Sequence, residues 1–231
     1  MQNHDELILR SRRVQPAAPF PVAHQAVRIA MYDEYAARSF YTRVTEAFGP
    51  RAPFAAIARS EAQHIDALAR LCDRLGCPRP LDPFPMETTV APTWRANCER
   101  AVAGEVANIR LYDSLLPYAV DAGMQQVFVN LQSASRDNHL PAFRQAVADA
   151  VALEQYHAEH GIAPVNAHAQ HGAVTDFLER VFAQIGPRAG PLGLVSPLIR
   201  ITHPAMLAGM ATGAAGVYLY RHKTGQPHKE N

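Results

Sequence analysis

Acid stands where helices of this chain should bury leucine, and no other feature restricts the fold as much. In the stretch SEAQHIDAL, residues 60–68, alternating steps of four and three run through Ile57, Glu61, His64, Leu68, Leu71 and Leu75. That is one continuous seam at helical spacing, so Glu61 and His64 occupy core positions. A buried carboxylate without a partner is strongly unfavourable. Whatever packs against this helix must therefore bring a compensating charge.

The anomaly recurs on neighbouring helices. A first helix over 23–48 carries Val27, Met31, Glu34, Tyr41, Val44 and Phe48 on one face and is closed by GPRAP; the second spans 53–75 and stops at Gly76. A third begins near Pro92 and aligns Cys98, Val102, Glu105, Ile109, Tyr112, Leu116 and Ala119. A fourth, about 123–160, aligns Val129, Gln132, Arg136, His139 and Phe143, with Pro141 expected to kink it. The segment GCPRPLDPFPMETTVAP between the second and third helices is too long and too proline-rich for a tight turn, which predicts a crossover along the bundle. No segment alternates with period two, so the expected class is all-α: a four-helix bundle with a long crossover. The expected organisation is an arm at 1–22, the bundle at 23–160, a short helix (about 171–185) and linker within 161–189, and an apolar Gly-rich tail at 190–231.

With 231 residues and 48% hydrophobic content the chain can build a real core, and 22 basic against 21 acidic residues give no electrostatic case for nucleic acid. Cys72, Cys77 and Cys98 lack zinc spacing and read as buried or idle thiols of a reducing compartment. The charged N-terminus lacks the apolar run of a secretory signal, so a cytoplasmic location is expected. Residues 205–220 carry no charge but fall short of the ~20 needed to cross a bilayer. Their Gly209, Gly213 and Gly216 permit close helix approach, which predicts membrane association or self-association, and a homo-oligomer is expected.

Inward-facing Glu34, Glu61, His64, Glu105 and His139 on successive helices are most economically a metal site, since shared cations supply the missing charge. Carboxylate and imidazole donors suit iron, manganese, zinc or copper. A slip of one position would put Asp33 in place of Glu34. Tyr41 and Tyr112, each seven residues beyond a seam glutamate, either orient a ligand or are core aromatics with satisfied hydroxyls. Gln132 and Arg136 stand close enough in sequence to touch the ligands. His157, His160, His168 and His171 show ligand-pair spacing and form either an accessory metal site or a scatter of surface histidines.

The stretches DEYAARSFYTRV, IARSEAQHIDALARLCDRLGCPRP, GEVANIRLYDSLL and SRDNHLPAF resemble successive helices of the ferritin-like superfamily, and most closely a bacterial ferritin-like domain family of uncharacterised function. The resemblance spans about 23–147. It implies a four-helix bundle around a dinuclear centre, typically di-iron. Glu34 would be the first-helix carboxylate, Glu61 the bridging carboxylate, His64 its histidine partner and Glu105 the third-helix carboxylate. It also implies an oxidoreductase that oxidises ferrous iron or reduces dioxygen or peroxide. One departure stands out: where a second Glu-x-x-His would place its acid, this chain has Arg136, whose permanent charge repels a cation or pairs with a glutamate. Three carboxylates and two histidines hold two metals if Glu61 bridges, or else one. Metal storage or delivery without turnover, and a metal-free helical interaction module, are the readings from other classes.

Overall fold

The computed structural model describes residues 4–161, and all regular structure among them is helical. The elements are α1 (His4–Ser11), α2 (Val22–Phe48), α3 (Phe54–Leu75), α4 (Phe84–Glu87), α5 (Trp94–Leu115), α6 (Ala122–Ala134) and α7 (Leu140–Glu159). A 3-10 turn at Leu116–Tyr118 follows α5, and a π-helical turn at Ser135–His139 joins α6 to α7. The expected short helix at 171–185, the 161–189 linker beyond Gly161 and the tail at 205–220 lie outside the described residues. No described helix is long and apolar enough to cross a membrane.

Local chemistry explains where the helices begin and end. The long helices α2 and α3 fall within one residue of the 23–48 and 53–75 expected from periodicity. Gly76 ends α3 in the left-handed region at φ 62°, where its N–H reaches Asp73 O while the Cys77 N–H returns to Cys72 O at 2.9 Å. Those two bonds satisfy carbonyls that the helix end would leave orphaned. Helix α5 starts at Trp94 because the Thr93 side chain accepts the Ala96 N–H, and Asp121 caps α6 through the Met124 N–H at 2.8 Å.

Two differences from expectation bear on the site. The N-terminal arm contains a helix, α1, too short and too mixed in charge to show a seam; it buries Ile8 and Leu9 in the same core as α2. The fourth helix is divided by the π-helical turn rather than simply kinked. Pro141 has no N–H to donate and crowds the carbonyl four residues back, and Leu140 directly before it bonds five residues back to Ser135. The wider turn inserts extra backbone and shifts the helical phase.

Two apolar clusters lie on either side of a polar layer. One includes Ile29, Leu68, Tyr112 and Phe128; the other includes Phe40, Phe54, Cys98 and Phe143. Along each long helix the residues of one cluster are separated from those of the other by a seam acid or histidine. The 76–93 segment follows α2 from its start toward its end. Arg28 donates to Pro78 O, Arg38 pairs with Asp82 at 2.8 Å, and Arg43 donates to Pro85 O at 2.8 Å. Trp94 then packs on Phe48 and Phe54, so α3 and α5 both start beside the end of α2. The compact unit that holds these contacts ends at Val151; of the residues after it, 152–161 are described and complete α7.

Candidate metal centre

Each of the four long helical segments delivers one or two polar side chains into the layer between the apolar clusters. Glu34 comes from α2, Glu61 and His64 from α3, Glu105 from α5 and His139 from the π-helical turn; all but His64 are fully buried, and the His64 side chain is 11% exposed. They form two groups, Glu34 with Glu61 and His64, and Glu61 with Glu105 and His139, in which the ligand atoms lie within 4.8 Å of one another. Glu61 is common to both.

Glu61 presents one oxygen to each histidine. Its Oε2 lies 2.7 Å from His64 Nδ1, and its Oε1 lies 3.2 Å from His139 Nδ1. The outer carboxylates complete the pattern, with Glu34 Oε2 3.3 Å from His64 Nδ1 and Glu105 Oε1 3.6 Å from His139 Nδ1. The imidazoles lie nearly parallel, 5.6 Å apart and inclined by 24°. Their remote nitrogens share one hydroxyl: Ser60 Oγ is 3.4 Å from His64 Nε2 and 3.2 Å from His139 Nε2. A ring that donates through Nε2 keeps a lone pair on Nδ1, aimed among carboxylates.

The outer glutamates are held by reciprocal tyrosines. Tyr112 of α5 donates to Glu34 Oε1 at 2.7 Å, and Tyr41 of α2 donates to Glu105 Oε1 at 2.6 Å. Both phenols are core aromatics, and both also orient a seam glutamate. Asn108 gives Nδ2 to Asp33 Oδ2 at 2.9 Å and to Glu34 Oε1 at 3.4 Å, while its Oδ1 accepts from Ser135 Oγ at 2.9 Å. Asp33 is itself buried and paired with Arg12 at 2.9 Å, so the neighbouring acids Asp33 and Glu34 both face inward with different partners.

The electrostatics follow from this crowding. Burial, then repulsion from Glu61, raises the Glu34 carboxyl to about 7. Burial alone would lower His64, but Glu34 and Glu61 outweigh it and hold the imidazolium up to about 10; Glu105 and Glu61 likewise outweigh burial and hold His139 up to about 9. Burial opposes ionisation of Glu61 too, but the adjoining imidazoles of His139 and His64 bring its pKa below the usual value. Burial raises Asp33 to about 6 against the pull of Arg12. Without a metal, protons on the rings supply the positive charge that the acids require.

The chemistry of the donor set fits a metal. Among the described residues, His139 Nδ1 is the buried side-chain nitrogen that makes no hydrogen bond, although two carboxylate oxygens lie within 3.6 Å. N and O donors bind zinc-sized cations at about 2.0–2.2 Å, so donors within 4.8 Å of one another are close enough to reach one ion.

The other candidate residues stand apart from the cluster. Arg136 is exposed and paired with Asp137 at 3.0 Å, because the π-helical turn puts Ser135 and His139 on the inner face in its place; it touches no seam glutamate. Gln132 is buried but donates to Ile109 O and to Asp113 at 2.7 Å, tying α6 to α5. His160 stacks on Tyr156 at 4.1 Å with Nδ1 directed to the Tyr156 carbonyl, and His157 precedes it in α7. His168 and His171 lie outside the described residues. Three contributors escaped sequence reasoning: Ser60, Asn108 and Ser135. Only the position of Ser60 beside Glu61 hinted at a role.

No family model matches the chain, and no curated protein does either. Among solved structures it is similar to a hypothetical protein from Methanococcus jannaschii, with 19% identity over 58% of this chain and 85% of that one and a TM-score of 0.50. At that identity the likeness concerns the helical fold alone.

Proposed function

We propose that this is a ferritin-like metal-binding protein with a carboxylate-bridged pair of metal ions, iron most readily and otherwise manganese, zinc or copper, serving as an oxidoreductase. The observation that carries the reading is the disposition of Glu61, whose two oxygens face two separate imidazole nitrogens, each group completed by a further glutamate. The order of the helices supports it: α3 and α5 both leave from the end of α2, and the intervening crossover runs back along α2. Hard oxygen and borderline nitrogen donors, without a thiolate among them, suit these metals.

Bound as a reduced pair, iron would supply electrons to dioxygen or peroxide. The chain's own residues do the rest. Glu61 would bridge the pair, Glu34 and Glu105 would hold its two ends, and His64 and His139 would each give Nδ1. Ser60 holds both rings by Nε2, and Tyr112 and Tyr41 fix the outer carboxylates, which sharpens ligand geometry. The flanking apolar clusters close the layer on two sides.

Metal analysis of protein purified without chelator should give two transition-metal ions per chain, and Glu61→Ala should lose both. A metal-free wild type would sink the reading. Ferrous iron added to the loaded protein under air should accelerate oxygen consumption; bound metal without consumption would instead favour storage or delivery.

A further inference from the structure

A cavity of about 360 Å³ lies between α2 and α5. Its deep end is formed by Glu61 and Glu105, so it reaches the Glu105 half of the candidate centre; Glu34 and His64 do not line it. Its walls are small and apolar at Ala36, Ala37, Ala101, Ala103 and Gly104, with Phe40, and polar at Asp33, Tyr41 and Asn108. Two guanidiniums also line it, Arg12 and Arg100. The volume falls in the range of small-molecule sites and far exceeds what dioxygen or peroxide needs, since one water occupies about 30 Å³ in the liquid.

The arginines are held in place. Arg100 lies over the Phe40 ring at 4.4 Å and donates to Thr89 O at 2.7 Å. Arg12 adopts a positive φ of 54° at the end of α1, a conformation unfavourable for a residue with a Cβ, and in it contacts buried Asp33. Each guanidinium has five N–H donors, more than these contacts use. Gly104 leaves open space: a Cβ there would meet nothing within 4 Å.

We propose that this cavity binds a small organic carboxylate with an apolar body. Arg100, beside Phe40, takes the carboxylate, while Arg12 is engaged by Asp33; the body lies along Ala36, Ala37 and Gly104 toward the Glu105 side. The orientation follows from charge, since Glu61 and Glu105 repel an anion from the deep end, Asp33 offsets Arg12, and the Arg100 guanidinium attracts the anion. The assignment names a substrate class for the metal-centre reading and rests on it for a catalytic role, but binding itself is measurable without metal.

Benzoate and the uncharged benzamide, titrated calorimetrically into the full chain with metal content measured on the same sample, test it. Benzoate should bind at least about tenfold more tightly than benzamide, and Arg100→Gln should weaken it by about tenfold, as for loss of a charge-assisted hydrogen bond. Gly104→Leu should abolish binding while metal content stays unchanged. Arg100 is exposed, so its variant serves if Gly104→Leu unfolds by circular dichroism. Equal binding of the acid and the amide, benzoate binding indifferent to both variants, or no binding of benzoate or hexanoate would each overturn the pocket. A metal-free preparation that still binds benzoate through Arg100 overturns the metal centre and leaves the pocket standing; two metals without carboxylate binding does the reverse.

Discussion

At the scale of single residues, protons and the proposed metal ions would compete for His64 and His139. Both imidazoles are held above their ordinary value, at about 10 and about 9, by adjoining glutamates. A raised basic group stabilises the fold fully below its unfolded value, near 6.5, and that contribution disappears as pH rises through the folded value. Glu34, raised to about 7, acts in the same direction between its unfolded value and 7. The metal-free protein should therefore lose thermal stability between pH 6.5 and 10, a slope that the His64→Gln, His139→Gln double variant should lack. Identical slopes would mean that the rings carry no charge. Above pH 7 metal affinity should rise about tenfold per pH unit for each proton displaced.

At the scale of elements, α2 and α3 were legible almost to the residue because an amphipathic seam and a terminal glycine suffice to mark them. All five seam residues, Glu34, Glu61, His64, Glu105 and His139, converge in space, because helical spacing defines an inner face before any partner is known. The π-helical turn was not legible. It broke the assumed period, so Arg136 was expected on the inner face beside the ligands and is found in solvent. Helix α1 was missed for another reason: its main link to the site, Arg12 with Asp33, is a tertiary ion pair that no local pattern announces. Arg12→Ala removes a charge that favours ionised Asp33, whose pKa lies near 6. The variant should lose about 1 kcal/mol at pH 8, where the acid is ionised, and little at pH 5, because a half-exposed guanidinium is screened. Denaturant midpoints at the two values check this; an equal loss at both would assign the effect to backbone relief instead.

At the scale of the whole molecule, the α2–α3 pair is echoed by α5 and the helix that follows it. Glu34 and Tyr41 correspond to Glu105 and Tyr112, while Ser60 and His64 correspond to Ser135 and His139, and Arg136 stands where Glu61 would recur. Each outer glutamate takes the tyrosine of the opposite helix, so α2 and α5 are stitched together twice across the polar layer. Cations bound in that layer bind the folded chain alone and so stabilise it by about 2.7 kcal/mol at a hundredfold excess over Kd. Chelator treatment should accordingly lower the thermal midpoint by about 5–10 °C for a domain this size, and readdition of metal should restore it. An unchanged midpoint would show that no ion reinforces the layer. The hydroxyl of Ser60 touches both rings, and one oxygen can accept from two donors only while its own hydrogen points elsewhere. Tilting either ring to receive an ion would thus tug on the other, so that ions entering the two halves of the candidate centre would fill them as a conversation rather than as two separate appointments.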